Sequence, residues 1–298
     1  MDRRSRLASL FEDHGWGIDP EARDVEAMER LFGRVDRLFG PGRYFGLEVT
    51  GWEHLPAAPA MLVSNHSGGT TIPDVWGFAV AWHRRFGQER PCHVLGHEMI
   101  FTLAPVARFM SQMGAVRASP GAARRVLGEL RRDLLVLPGG DMDTWRPWTE
   151  RYKVRFAGRM GYAKLALQVG VPIVPVAHAG AHSTLVVLSD GERLARALGL
   201  PKIARASIFP VHLSVPWGLT VGPMPHLPLP VTLRYRVGAP VPPPEGPWPD
   251  PDPTPERIAA WDAAVRAEIQ RMLDGLKEER RARWRRITRR AARNNHSN

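Results

Sequence analysis

Only one of the 298 residues is a cysteine, Cys92, so no disulfide can form within the chain and a reducing compartment suits it. Long apolar runs are missing too. The longest segment free of Asp, Glu, Lys and Arg lies between Arg205 and Arg234, and Pro210, Pro216, Pro223, Pro225, Pro228 and Pro230 interrupt it. Each proline removes a helix hydrogen bond, which argues against a transmembrane helix. The segment instead reads as an extended apolar loop, either packed on the core or dipping into a membrane interface. The opening MDRRSRLASLFEDHGWG has arginines but lacks the apolar stretch of about 7–15 residues that follows them in a secretory signal, so no leader is expected. Internal repeats are absent as well.

What remains is ordinary for a soluble globular protein: 44% hydrophobic and 24% charged residues, enough chain for one large core. The net charge of +11 is uneven. Between Lys277 and Arg293 nine Lys/Arg face only Glu278 and Glu279, so +7 of the total belongs to the tail. Such a tail suits an anionic surface. If helical, it would set Trp284 and Ile287 among arginines at a bilayer surface. A solvated tail is the plain alternative. Nucleic acid is not expected as a partner, because no recognised nucleic-acid module accompanies the tail.

Strand and helix patterns alternate. Asp19-Pro20-Glu21 opens a helix in which Val25, Met28, Phe32, Val35 and Phe39 recur at helical spacing until Gly40-Pro41-Gly42 stops them. Ala60–Val63, Leu134–Leu137 and Val171–Val176 are short apolar runs bounded by turn residues and read as buried strands. Val75–Trp82 reads as a buried helix. Val231, Leu233, Tyr235 and Val237 alternate with polar neighbours, as in a strand with one exposed face. The prolines between Pro240 and Pro255 suggest a stiff linker. Beyond it a long helix carries Ile258, Trp261, Val265, Ile269, Met272 and Leu276 on one face. The expected fold is α/β, a mixed central sheet flanked by helices, with an N-terminal amphipathic helix and a long basic C-terminal helix. The expected division is an N-terminal helical segment (1–43), a main domain (44–240), the linker (241–255) and the C-terminal helix with its tail (256–298).

The chemistry concentrates in Asn65–Asp74, NHSGGTTIPD. His66 follows a buried strand, and Asp74 follows it across a glycine-bearing loop. A histidine held near a carboxylate is the minimum apparatus for drawing a proton off a hydroxyl. Asp74 has a second reading, since Thr71-Ile72-Pro73-Asp74 has the form of a helix cap. Cys92 beside His93 makes a poor nucleophile pair, because adjacent side chains rarely face each other and no glycine elbow surrounds them. Ser67 lacks a Gly-x-Ser-x-Gly setting. His178 and His182 have a helical ligand spacing, but Gly180 and the preceding strand argue against a helix and so against a metal.

Three more segments follow in order: Gly114-Ala115-Val116-Arg117, Leu137-Pro138-Gly139-Gly140-Asp141 and VPIVPV at Val171–Val176. With NHSGG…Asp74 they resemble the four motif blocks of the phospholipid/glycerol acyltransferase superfamily. Gly158–Val176, GRMGYAKLALQVGVPIVPV, is similar to the diacylglycerol acyltransferase-like bacterial branch. The resemblance covers Tyr44 to Val237. It implies a glycerolipid acyltransferase-like fold and transfer of a fatty acyl group from acyl-CoA or an acyl carrier protein to a lipid hydroxyl, with no metal or redox cofactor. His66 would be the general base and Asp74 its partner. Asn65, Arg117, Gly139, Gly140 and Asp141 would contact substrate.

Two departures stand out. The spacing is His-x7-Asp rather than the family's His-x4-Asp, and Gly-Gly-Asp replaces the Glu-Gly-Thr-Arg run of enzymes that use glycerol phosphates. The second favours a neutral or glycolipid acceptor. Together they keep open a noncatalytic, membrane-associated lipid-binding protein on the same fold. The resemblance and the basic tail together imply a cytoplasmic protein, peripheral on an anionic inner membrane face.

Overall fold

The computed structural model describes residues 13–200 and 208–295. The first twelve residues of the segment read for a leader, the start of the charge-free segment and the Ile287 side chain lie outside the described residues. The strands are β1 (Gly46–Thr50), β2 (Met61–Ser64), β3 (Cys92–Gly96), β4 (Ala115–Arg117), β5 (Asp133–Val136), β6 (Ile173–Ala179), β7 (Val186–Ser189), β8 (Val211–Ser214), β9 (Gly218–Val221) and β10 (Thr232–Val237). The helices are α1 (Val25–Val35), α2 (Pro73–Phe86), α3 (Ala104–Gln112), α4 (Pro120–Arg124), α5 (Gly140–Thr144), α6 (Gly161–Val169), α7 (Glu192–Ala197) and α8 (Pro255–Asn295).

Seven strands form the central sheet in the order β1-β10-β6-β2-β5-β3-β4. It is parallel except where β10 meets β6, so β1 and β10 run against the rest. The middle strands β2, β5 and β6 are buried along their whole length and mostly apolar because both faces are covered, as a sheet between helix layers requires. Successive residues of β2 serve opposite layers. Met61 and Val63 pack with Trp261, Val265 and Ile269 of α8, while Leu62 packs in the cluster of Phe78 and Trp82 of α2. The first half of α8 is thus part of the main core. The parallel strands β2, β5 and β6 sit side by side, and their C-terminal ends open at one edge of the sheet, where α/β folds gather ligands.

Several elements differ from the sequence reading. Asp19 caps only a three-residue 3-10 turn, Pro20–Ala22, and α1 starts later. Its N-cap is Asp24, whose carboxylate accepts Ala27 N–H at 2.9 Å. Two aspartates lie before the apolar period, and the nearer one begins the helix. The charge-free segment is not simply a loop: β8 and β9 pair antiparallel, with His212 opposite Thr220, and β8 also pairs with β7. Prolines frame this hairpin and leave its strands intact. The internal strand β10 buries Leu233, Tyr235 and Val237. Arg234 and Arg236, on its other face, pair with Glu48 and Glu279. The Pro-rich stretch lies against the body, where Val241 N–H bonds Ile173 O and Asp250 N–H bonds Leu167 O, both at 2.9 Å.

Candidate active site

His66 stands just past the end of β2, and the loop behind it explains how the long spacing still closes. Gly68 and Gly69 adopt φ of +106° and +66°, conformations glycine reaches without strain. A β-carbon on Gly68 would lie 2.5 Å from Pro73, and one on Gly69 2.6 Å from His226. The two glycines lead into a 3-10 turn, Gly69–Thr71, that takes up the three extra residues before α2 begins. Asp74, in the first turn of α2, is thereby brought back over the loop. Its Oδ2 lies 2.6 Å from His66 Nδ1 and accepts Ser67 N–H at 2.9 Å.

The capping reading of Asp74 fails. The N-cap of α2 is Ile72, at φ +40° and without a side-chain cap bond, and the Thr71 hydroxyl contacts Gly68 O and His226 instead. The carboxylate therefore serves the imidazole. Tyr235 fixes this end of the helix by donating its hydroxyl to Asp74 O at 2.7 Å.

Burial works to lower the His66 pKa. Asp74, through charge and hydrogen bond and with Asp143 adding to it, overcomes that effect and holds the value above 6.5. Burial likewise raises Asp74, but the charge and hydrogen bond of His66, with His178 and Ser67 N–H, hold it below 3.8. Both shifts favour imidazolium beside carboxylate. In the neutral ring Nδ1 carries the proton that bonds Asp74, so the lone pair lies on Nε2. The His66 side chain keeps 13% of its surface accessible.

Two residues not anticipated from sequence hold the peptide of His66 from both sides. Asp143 Oδ2 accepts His66 N–H at 2.5 Å, and Arg146 donates to His66 O at 2.8 Å. Asp143 and Arg146 are themselves ion-paired, and both are fully buried. Asp143 Oδ1 also accepts Arg155 N–H at 3.1 Å. Burial raises the Asp143 pKa against the lowering effect of Arg146 and two backbone N–H groups. The sequence signal was a charged pair three residues apart, Asp143 and Arg146, just after the Gly139-Gly140-Asp141 block.

The remaining expected residues fall in different places. Asn65 is buried, and its amide bonds both sides of the His178 peptide, at 3.0 Å to O and 2.9 Å from N–H. It ties β2 to β6. Gly139 packs so closely that a β-carbon would lie 2.3 Å from Asp143 and from Arg155 O. The Gly140 N–H bonds Leu137 O at 3.1 Å, and Asp141 is held by Arg159 at 2.8 Å. The Pro138–Asp141 turn thus seats Asp143, and Arg159 holds the turn.

Arg117 ends β4, on the far edge of the sheet from β2. It pairs with Asp13 at 2.6 Å and Glu98 at 2.7 Å, and lies over Phe101. His178 lies on β6, its Nε2 2.7 Å from the Ser67 hydroxyl and 3.6 Å from Asp74, and burial lowers its pKa to about 4. It is a neutral neighbour of the Asp74 carboxylate. A cavity of about 490 Å³ opens beside this region, lined by Met142, Arg155, Phe156, Met160, Asp262 and Arg266 among others. His66 does not line it.

Residues 46–179 match the family model described as Acyltransferase. An uncharacterized protein of Mycobacterium tuberculosis is 29% identical over 233 residues, which is 76% of this chain and 59% of that protein. The chain therefore spans less than two thirds of that relative's length. A Gallus gallus protein described as a DGAT1/2-independent enzyme synthesizing storage lipids is 29% identical over 140 residues, 46% of this chain and 40% of its own. The crystal structure of the 1-acyl-sn-glycerophosphate (LPA) acyltransferase PlsC of Thermotoga maritima aligns over 85% of this chain and 78% of its own, with 18% identity and a TM-score of 0.45.

Proposed function

We propose that residues 46–179, which match the Acyltransferase family model, form an acyltransferase domain of the phospholipid/glycerolipid acyltransferase superfamily that moves a fatty acyl group from acyl-CoA or acyl carrier protein to a lipid hydroxyl. The observation that carries this reading is the 2.6 Å contact between His66 Nδ1 and Asp74, which leaves Nε2 as the base.

In this mechanism Nε2 takes the hydroxyl proton as the acceptor oxygen attacks the thioester carbonyl. The carbonyl becomes an oxyanion and His66 an imidazolium, which Asp74 stabilises by charge. Collapse of the tetrahedral intermediate breaks the carbon–sulfur bond, and the departing thiolate receives the proton from Nε2. The ester and a free thiol result. Thioesters are already activated, so this acid–base exchange is sufficient chemistry.

A neutral or glycolipid acceptor is the favoured substrate. Arg117 and Arg159, two basic side chains in or beside the motif blocks, are matched by Asp13, Glu98 and Asp141. They offer little uncompensated charge to a phosphate. Peripheral attachment to an anionic inner membrane face completes the reading. Among the described residues no helix is long and apolar enough to cross a membrane.

Labelled acyl-CoA or acyl carrier protein, incubated with a panel of lipid acceptors and followed by mass spectrometry, tests the proposal. Thiol release that depends on an added lipid alcohol supports it. Binding of lipid without thiol release from either donor would favour the noncatalytic alternative.

A further inference from the structure

The β8–β9 hairpin has its polarity reversed. Along β8, His212 and Ser214 face the protein, and Leu213 between them is exposed. Its cross-strand partner Leu219 is 66% exposed, and Val221 beside it is exposed too. A strand on a water-facing sheet places apolar residues inward and polar ones outward, the opposite of this arrangement. Trp217, in the turn, is 52% exposed, yet its indole N–H already bonds Pro225 O at 2.5 Å. The ring can therefore enter an apolar phase without stranding its donor. No Asp, Glu, Lys or Arg occurs from Ile208 to Val231. The same face continues into Leu227 and Leu229, both exposed.

This surface is tied to the histidine loop. Thr70 donates to Met224 O at 3.1 Å, and the Thr71 hydroxyl lies 3.2 Å from His226 Nε2. Its root also reaches the basic helix. Leu229 N–H bonds Thr184 O at 3.0 Å, and the adjacent Ser183 hydroxyl accepts from Arg280 of α8 at 3.1 Å. One turn further along α8, Trp284, Arg285 and Arg286 are exposed. An uncharged apolar face with arginines at its root matches the profile of a bilayer, where hydrocarbon lies below anionic headgroups.

We propose that the outward face of the β8–β9 hairpin enters the interface of an anionic bilayer and sets the His66 loop against the membrane surface from which the acceptor arrives. The inference rests on the acyl-transfer reading for its purpose, but the binding it describes is measured without turnover. Aliphatic side chains and a satisfied indole offer no directional groups to a protein partner, which favours lipid as the occupant.

The test is co-sedimentation of the full chain with phosphatidylcholine vesicles containing phosphatidylglycerol. The double variant Leu213→Asp, Leu219→Asp should lower the partition coefficient by about tenfold or more. Trp217→Ser should lower it less. Both losses should persist at about 0.5 M salt, whereas the contribution of Arg285→Gln, Arg286→Gln should vanish there. Turnover should fall on acceptor embedded in vesicles and hold on acceptor dispersed in detergent. Far-ultraviolet circular dichroism and thermal unfolding certify the fold, and Trp217→Ser decides the matter if the double variant misfolds. Unchanged partition in a folded Trp217→Ser or double variant overturns the proposal. So does sedimentation velocity showing a dimer that either variant dissociates, since a second copy would then cover this face. His66→Ala should bind vesicles normally, so a failed acyl-transfer reading remains distinguishable from a failed docking surface.

Discussion

The carboxylate of Asp143 accepts the backbone N–H of His66 at 2.5 Å, across 77 residues of chain. Arg146, paired with that carboxylate, holds the carbonyl of the same residue. His66 is thus fixed through its peptide as well as its ring, and the fixing groups follow the neighbouring strand β5. Rigid placement of this kind is what a proton-transfer geometry needs.

Breaking that pair should cost both stability and rate. Arg146→Met leaves a buried carboxylate without its cation, a loss of about 3–5 kcal/mol. Asp143→Asn keeps the shape, and its turnover should fall with a smaller drop in stability. Denaturant unfolding beside steady-state kinetics separates the two effects. Equal turnover in Asp143→Asn and the native chain would remove the positioning role.

The pH dependence follows from the opposed shifts of the pair. His66 sits above 6.5, so kcat/KM should rise with pH through that higher value as the base form appears. Stability runs the other way: the raised His66 pKa contributes fully below 6.5, and the contribution is lost as pH rises through the folded value. The lowered Asp74 pKa contributes above 3.8 and is lost as pH falls through its folded value. In Asp74→Asn burial becomes the dominant influence on His66. The rising limb should move to lower pH while the plateau falls by about a hundredfold or more. A limb that stays in place would separate Asp74 from the titration of His66.

Much of the fold was legible because its elements obey simple periods. The apolar runs at Ala60–Val63, Leu134–Leu137 and Val171–Val176 became β2, β5 and β6, and the stripe from Trp261 to Leu276 became the core face of α8. The His66–Asp74 pair was legible from residue types, and the structure resolves its long spacing through the Gly69–Thr71 turn. Asp143 and Arg146 were not, because their meaning depends on β5 lying next to β2, a pairing that no local pattern encodes. The β8–β9 hairpin was hidden for a different reason. Its exposed residues are apolar, so alternation carried no sign of which face looks outward. Asn65 belonged to a motif block, but its amide is engaged by the His178 peptide.

Arg117 provides a sharp contrast between motif and position. Its guanidinium is engaged by Asp13, Glu98 and Trp16 O at the sheet edge. Arg117→Gln should leave the acceptor KM within about twofold and lower stability by less than about 1 kcal/mol, since both carboxylates are exposed. A large rise in acceptor KM would return this arginine to the headgroup role that the resemblance implies.

Trp261 tests whether α8 belongs to the catalytic body. It is fully buried, and its indole donates to Val241 O at 3.1 Å. Trp261→Ala should destabilise by about 3–5 kcal/mol. Thermal unfolding in one cooperative transition, shifted downward, is the expected trace. A separate early transition with an unshifted main one would make α8 an independent unit.

The most direct measurement of the central claim is thiol release by His66→Ala, with acyl-CoA or acyl carrier protein as donor and a lipid alcohol as acceptor. With native secondary structure and unfolding midpoint preserved, acceptor-dependent release should fall to background, because the imidazole proposed to take the proton is gone. Release at the native rate in the folded variant would contradict the account outright.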